Sequence, residues 1–229
     1  MKIVEILGSP HGIKGNTSVL SSQVLLAAER AGAAVAGLSL SDYEVKPCLG
    51  CNACHKTGRC PQRDDFDKVK QACRNADGIV LASPNYIFNV SAQMKAFLDR
   101  CCGPLHCQAW EGKYGLAVVT SGGGGCEEVE RYLLRFMRAM GCWTVGSIGA
   151  EAFRLADDCA REGCFEAARQ LGVRMVEAIR GKETFPDQQA EKDAFHDRMS
   201  RLVRSRKDEW PFEHEHWQSQ GWLDQAAGG

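Results

Sequence analysis

The sequence predicts an α/β protein built on a doubly wound parallel sheet of five strands. Short apolar runs rich in valine, isoleucine and leucine alternate five times with segments in which apolar residues recur at helical spacing. The runs are nearly continuous, which is typical of parallel strands that helices cover on both faces. Five strands joined by crossover helices fit the order 2-1-3-4-5, in which ligands bind at the carboxyl ends of the strands.

The predicted strands each lead into a loop of small and polar residues, and a helix follows each of them. The strands comprise residues 3–7, 34–40, 78–82, 114–120 and 142–148. The first helix begins with Asn16 or Thr17 as its N-cap and ends at Gly32. The second opens on Asp64 and Asp65, which place acids in its first turn. The remaining helices comprise residues 92–102, 127–140 and 155–179, the last with some interruption.

Composition narrows the class of protein. The formal net charge is -1 over 229 residues, so no broad basic field is available to bind nucleic acid or an anionic membrane. No stretch reaches the roughly 18 apolar residues that a membrane span needs. The first residues lack the pattern of a signal peptide. We therefore expect a cytoplasmic protein, whose 12 cysteines act as metal ligands, redox thiols or packing residues rather than disulfides.

The chain is expected to divide into a domain and a C-terminal extension. Residues 1–180 form the α/β domain, with a cysteine-rich loop over residues 45–61 after the second strand. Residues 181–229 form the extension, which is charged and helical over residues 182–208. Four large aromatic residues follow: Trp210, Phe212, Trp217 and Trp222. Because exposing them would be costly, we expect the extension to pack on the domain or on a neighbouring subunit.

Two of the loops after strands let a ligand approach the backbone closely. Residues 8–18 combine glycines with hydroxyl and amide donors at a helix N-terminus, which suits a phosphate. This loop lacks the spacing of a nucleotide-binding P-loop. Residues 120–125 contain four consecutive glycines after Ser121, but they do not match a dinucleotide-binding fingerprint.

A third loop, residues 83–89, suits a heteroaromatic ring. Asn85 and Asn89 can bond the edge of such a ring, and Tyr86 or Phe88 can pack against its face. Each loop is a weak signal alone. All three lie at the carboxyl ends of adjacent predicted strands, and that joint placement favours a flavin site.

The cysteine-rich loop has the spacing C-x2-C-x2-C-x5-C, formed by Cys48, Cys51, Cys54 and Cys60. Ferredoxins use a similar compact run to hold a cubane cluster. A zinc site usually has two well-separated C-x2-C pairs, so zinc is the weaker alternative. A redox pair of Cys51 and Cys54, or four unliganded thiols, are further alternatives. We expect this loop at the same carboxyl edge as the flavin loops.

The cysteines outside this loop are interpreted as residues without a catalytic or binding role. Cys101, Cys102 and Cys107 lie at the end of a predicted helix and in the loop after it, which also contains His106. Since buried cysteines usually pack as small apolar residues, we favour packing over a second metal site there. Cys73, Cys126, Cys142, Cys159 and Cys164 are interpreted in the same way.

The chain resembles the flavodoxin-like NADPH-dependent FMN reductase family over residues 1–180. The matching segments are Gly8-Ser9-Pro10 with Asn16-Thr17, Ser83-Pro84-Asn85-Tyr86, Met94-Lys95-Ala96-Phe97-Leu98-Asp99-Arg100, and Ser121-Gly122-Gly123. The resemblance implies a flavodoxin-like fold that binds FMN. Its phosphate loop would comprise Ser9, Pro10, Asn16, Thr17 and Ser18. Its ring contacts would be Pro84, Asn85, Tyr86, Ile87, Ser121, Gly122 and Gly123.

The segment from Cys48 to Cys60, with Asp64-Asp65 after it, is similar to that of the iron–sulfur flavoproteins in this family. The similarity implies a [4Fe-4S] cluster on the four loop cysteines. It also implies a homodimer or homotetramer in which clusters approach flavins across the interface.

The implied function is an oxidoreductase that relays electrons between the cluster and FMN. Its donor would be ferredoxin or NAD(P)H, and its acceptor a small molecule. No side chain is nominated as a catalytic acid or base. One alternative is an NAD(P)H-dependent FMN- or quinone-type reductase without a cluster. Another is a non-enzymatic redox sensor that signals through the aromatic extension.

Overall fold

The structure, a computed structural model, describes residues 1–223 and contains one sheet of five parallel strands with a short sixth. The strands are β1 (Lys2–Leu7), β2 (Ala34–Ser39), β3 (Gly78–Tyr86), β4 (Asn89–Val90), β5 (Tyr114–Ser121) and β6 (Trp143–Glu151). The parallel strands lie in the order β2-β1-β3-β5-β6, and the two-residue β4 pairs antiparallel with the end of β3. The predicted order is confirmed, since β5 and β6 are its fourth and fifth strands.

β3 runs past its predicted end at residue 82 and includes the first residues of the predicted second loop. The N–H of Gly8 donates to the carbonyl of Ala82 at 2.7 Å, so Ala82 directs its backbone groups toward β1. Pro84, two residues on, faces the same side but lies beyond the last pair between β3 and β1. Its missing N–H therefore removes no hydrogen bond from the sheet, and β3 continues alongside β5.

Ten α-helices are present in the described part of the chain, besides two short 3-10 helices at Gly12–Lys14 and Leu40–Asp42. They are α1 (Asn16–Arg30), α2 (Ala53–Thr57), α3 (Phe66–Arg74), α4 (Ala92–Arg100), α5 (Cys102–His106), α6 (Cys126–Ala139), α7 (Ala152–Ala156), α8 (Asp158–Gly181), α9 (Pro186–Ser205) and α10 (Pro211–Ser219).

Several helix boundaries differ from the prediction by one or a few residues. Gly15, rather than Asn16 or Thr17, is the N-cap of α1. The helix predicted over residues 92–102 ends at Arg100, because Pro104 has no N–H to donate to the Arg100 carbonyl. The predicted interruption of the helix over residues 155–179 lies at Asp157, whose carboxylate accepts from the N–H of Ala160 at 2.8 Å and starts α8.

Alternating residues of the strands enter two cores. In β1, Val4 and Ile6 pack with α3, α4 and α6 on one face. Ile3 and Leu7 pack with α1 and α8 on the other face. Burial on both faces explains the nearly continuous apolar runs of the sequence.

The extension packs on the domain, as predicted. Trp217 of α10 is fully buried against Met199 and Val203 of α9. Its indole N–H donates to the carbonyl of His106 at 2.8 Å. The last part of the predicted extension, residues 224–229, lies outside the described residues. Within residues 1–223, no helix has the length and apolar character needed to cross a bilayer.

Candidate flavin-binding loops and cysteine centre

The predicted phosphate residues gather at the N-terminus of α1. Pro10 and Asn16 are exposed, Ser18 is half-buried, and Ser9 and Thr17 are buried. The hydroxyl oxygens of Thr17 and Thr120 lie 2.6 Å apart, which ties this loop to the end of β5. The N–H groups in the first turn of α1 that have no partner within the helix are donors available to a phosphate.

The predicted ring contacts lie on a tight hairpin between β3 and β4. Pro84 is buried, whereas Tyr86 is exposed and Ile87 is 91% exposed. Ile87 and Phe88 have φ angles of 50° and 61°, a conformation that is rare for β-branched and aromatic residues. Such strain persists where the surrounding structure fixes it, and it is commonest at functional sites.

Asn85 joins this hairpin to the glycine loop after β5. Its Nδ2 donates to the carbonyls of Gly124 and Gly125 at 3.1 and 2.9 Å. Its Oδ1 is buried and has no partner. A buried carbonyl oxygen without a partner is costly, so it fits a ligand with a ring N–H at this position.

The glycine loop leaves space beside the hairpin. A Cβ added at Gly122 or Gly123 would contact nothing within 4 Å, so a ligand can reach the backbone there. Gly125 has a φ of 73°, which favours glycine, and the Gly124 N–H bonds the Ser121 hydroxyl at 3.0 Å. The three loops therefore form one open, partly apolar edge with unpaired polar groups, and they fit FMN.

The four loop cysteines line a single cavity. Cys48 and Cys51 are exposed, whereas Cys54 and Cys60 are half-buried, and none is in a disulfide. Asn52 and Gly58, at the two ends of α2, have φ angles of 59° and 70° and turn the chain sharply around the cavity. The N–H of Gly50 lies 3.4 Å from Cys48 Sγ, so the loop backbone already directs a donor at sulfur.

Four cysteine thiolates can hold either one zinc ion or an iron–sulfur cluster. Tetrahedral zinc with Zn–S bonds of ~2.3 Å would hold the sulfurs about 3.8 Å apart. Over residues 1–223, the one group of side chains close enough to share an ion is elsewhere, at His55, His106 and Glu213. Four thiolates around one cavity are the usual ligand set of an iron–sulfur cluster.

A buried ion pair supports the cavity wall. Arg100 donates to Asp64 from Nη1 at 2.6 Å and from Nη2 at 3.1 Å, and both side chains are 1% exposed. Burial alone would raise the pKa of Asp64, but hydrogen bonds from Arg100 and from the N–H groups of Lys46 and Phe66 lower it. Arg100 Nε is buried without a partner, and Arg100 lines the cavity. This N–H is a donor suited to an anionic sulfur group.

The cysteines do not share the carboxyl edge with the flavin loops, contrary to the expectation from sequence. α4 begins at Ser91, whose hydroxyl bonds the Gly8 carbonyl in the first flavin loop. It ends at Arg100, which lines the cysteine cavity. The rise of ~1.5 Å per residue separates these points by roughly 13 Å. The loop leaves the edge after β2 and descends beside α4.

A cluster of polar residues that sequence reasoning missed adjoins the cysteine cavity. Cys102 lines it as a fifth cysteine, and its Sγ lies 3.7 Å from His55 Nε2. His55 and His106 both contact the fully buried carboxylate of Glu213. Hydrogen bonds from His106 and then His55 lower the pKa of Cys102 to about 6. The interpretation of Cys102 as a packing residue is therefore wrong.

The remaining cysteines mostly pack. Burial raises the pKa values of the Cys73 and Cys101 thiols, and Cys142 is fully buried. Cys159 is exposed, so its interpretation as a packing residue is wrong. The position of His55 between the third and fourth loop cysteines was the one sequence signal for the polar cluster, because Glu213 lies far along the chain.

Comparison with solved structures supports the fold. RosB with a bound 8-demethyl-8-formylriboflavin-5'-phosphate intermediate matches with a TM-score of 0.65 and 14% identity, over 85% of this chain and 86% of that one. A flavodoxin from the domain Archaea matches with a TM-score of 0.53 and 18% identity, over 79% and 99%. The fold is flavodoxin-like.

Sequence comparison defines the class of protein. The profile of the family described as NADPH-dependent FMN reductase matches residues 1–153. With the three loops at the carboxyl edge, this match makes the chain a flavin-dependent oxidoreductase.

Two similar proteins identify a subgroup within this class of oxidoreductases. An iron–sulfur flavoprotein of Archaeoglobus fulgidus is 38% identical over 80% of this chain and 82% of the relative. An iron–sulfur flavoprotein of Methanocaldococcus jannaschii is 35% identical over 79% of this chain and 98% of the relative. The chain belongs to the NADPH-dependent FMN reductase family and, within it, to the iron–sulfur flavoproteins.

Proposed function

We propose that this protein relays electrons between a [4Fe-4S] cluster on Cys48, Cys51, Cys54 and Cys60 and an FMN at the carboxyl edge of the sheet. The observation that carries the proposal is the single cavity that all four thiols line, whose wall holds the unpaired Arg100 N–H. The names of the two relatives point to the same pair of groups.

The residues of the chain would bind and orient these groups. The first turn of α1 and the hydroxyl of Ser9 would hold the phosphate. Asn85 Oδ1 would accept from the ring N–H, and the backbone at Gly122 and Gly123 would lie along the ring. Bound FMN exchanges electrons singly or in pairs, whereas a [4Fe-4S] cluster exchanges one at a time.

We propose that the relay operates across subunits of a homodimer or homotetramer. The cavity and the flavin loops of one chain lie at opposite ends of α4. Both carry exposed apolar side chains: Leu49 in the cysteine loop is 69% exposed, and Ile87 and Phe88 in the hairpin are 91% and 81% exposed. A contact between the cysteine loop of one subunit and the hairpin of another would bury these surfaces. We place the protein in the cytoplasm, where thiols stay reduced.

Anaerobic purification followed by iron, sulfide and flavin assays on one sample tests the proposal. We expect about four iron and four sulfide per chain, as a single cubane requires, together with flavin absorbance. Flavin without iron would contradict the relay.

A second candidate is an NAD(P)H-dependent FMN- or quinone-type reductase, which the name of the matching family favours. Anaerobic bleaching of the flavin by NADPH, but not by reduced ferredoxin, would support this reductase. Bleaching by reduced ferredoxin alone would support the relay, with a small molecule as the final acceptor.

A further inference from the structure

Three side chains from distant segments converge beside the cysteine cavity. His55 comes from α2, His106 from α5 and Glu213 from α10 of the extension. One ligand atom from each lies within 4.8 Å of the others. Glu213 is 0% exposed, so its carboxylate is fully removed from water. A buried carboxylate requires partners that balance its charge.

The two imidazoles are oriented alike. Nδ1 of His55 contacts Glu213 Oε1, and Nδ1 of His106 lies 3.0 Å from Oε2. The rings stack with centroids 4.7 Å apart and an interplanar angle of 26°. On the far side of its ring, His55 Nε2 lies 3.7 Å from Cys102 Sγ. Both Nδ1 atoms therefore point at the same carboxylate, and the outward nitrogen of His55 has Cys102 Sγ as a hydrogen-bond partner.

We propose that His55, His106 and Glu213 form a binding site for one zinc-class divalent transition-metal ion, which uses none of the four loop cysteines and adjoins their cavity at His55. Two imidazole nitrogens and one carboxylate oxygen are an established donor set for zinc, with a water in the fourth position. Calcium and magnesium prefer oxygen-only sites, so this donor set selects against them.

The surroundings match those of a metal site. Histidines that ligate metals usually pass their other ring N–H to an acceptor, which fixes the tautomer and the ring orientation. Cys102 Sγ occupies that place for His55. The indole of Trp210 stacks on His55 with centroids 4.6 Å apart and limits access of water from that side.

A metal ion here would fasten the extension to the cysteine loop. His55 directly follows Cys54, and Glu213 belongs to the last described helix. The competing account is a metal-free cluster held by hydrogen bonds alone. The two accounts differ in the zinc content of the protein and in the atoms bonded to zinc.

Metal analysis of protein purified without chelators from zinc-supplemented cells tests the site. We expect about one zinc per chain in the wild-type protein, in His214→Gln as the matched control on the same helix, and in Cys51→Ala. In Glu213→Gln we expect at least a tenfold loss of bound zinc. Wild-type protein with less than a tenth of a zinc per chain would overturn the proposal, as would zinc lost from Cys51→Ala and kept by Glu213→Gln.

X-ray absorption at the zinc edge of the wild-type protein gives an answer that needs no variant. We expect nitrogen and oxygen neighbours at ~2.0–2.1 Å, with an imidazole pattern and no sulfur shell at ~2.3 Å. A sulfur shell would place the zinc on the cysteine loop and overturn the proposal.

Discussion

The flavin edge and the cysteine centre are built in different ways. The flavin edge uses short loops that follow β1, β3 and β5, and neighbouring loops are joined by contacts such as those of Asn85 with the carbonyls of Gly124 and Gly125. The cysteine centre draws on the loop after β2, the end of α4, α5 and, through Glu213, the C-terminal extension. The first site is set by the topology of the sheet, whereas the second depends on tertiary contacts between distant segments.

The substitution with the largest expected effect tests whether the cluster and the flavin bind independently of each other. Cys51→Ala removes one of the four loop thiols, so we expect loss of nearly all bound iron and sulfide while flavin content stays unchanged. Cys159→Ala, which removes an exposed cysteine of α8, serves as the control and should keep both groups. Iron content equal to wild type in Cys51→Ala would contradict the assignment of the cluster to this loop.

A second substitution compares a buried with an exposed ion pair. Asp64→Asn leaves Arg100 charged and buried, so we expect the free energy of unfolding to fall by about 3–5 kcal/mol. The Lys95–Asp99 pair on the same helix is about half-exposed, and Asp99→Asn should cost only ~0.2–1 kcal/mol. Urea unfolding of both variants under anaerobic conditions measures the difference. Equal losses would show that Asp64 is not needed for the cavity wall.

The flavin edge can be perturbed alone through Gly125. Its φ of 73° is unfavourable for other residues, and a Cβ there would lie 2.8 Å from Asn85 Nδ2. We expect Gly125→Ala to weaken FMN binding about tenfold, from a strain of ~1–2 kcal/mol, and to leave iron content unchanged. Gly112 has the same φ with open space around it, so Gly112→Ala is the control for strain without contact. Titration of apoprotein with FMN measures both, and equal affinities would refute the role of this loop.

The smallest expected effect concerns strain in the hairpin. Ile87→Asn places a residue that tolerates positive φ at a position with φ of 50°, so stability should rise by about 1 kcal/mol. Lys182→Asn makes the same exchange at φ of 48°, at the C-cap of α8. Ile87→Asn should also reduce self-association in sedimentation experiments, whereas Lys182→Asn should not. Self-association unchanged by Ile87→Asn would contradict the proposed subunit contact.

The sequence predicts the sheet and its order well because each strand is a continuous apolar run with a helix after it. The sequence does not predict the full length of β3, because a proline such as Pro84 usually excludes a strand that is paired on both sides. Pro84 is tolerated since β1 has already ended at that level, which only the structure shows. It finds the four loop cysteines, whose signal is local spacing. It cannot find the partnership of His55, His106 and Glu213, because no periodicity or spacing links positions so far apart in the chain.

During synthesis on the ribosome, Glu213 is added to the chain long after His55. It is 158 residues beyond His55, so at ~5–20 residues per second the ribosome needs roughly 8 to 30 seconds to make the segment between them. During that interval α10 does not yet cover the cysteine loop, and the ring of Phe212 in that helix does not yet pack over Gly58. The loop is therefore more open during synthesis than afterwards, when the C-terminal helix covers its His55 and Gly58 side and leaves Cys48 and Cys51 exposed.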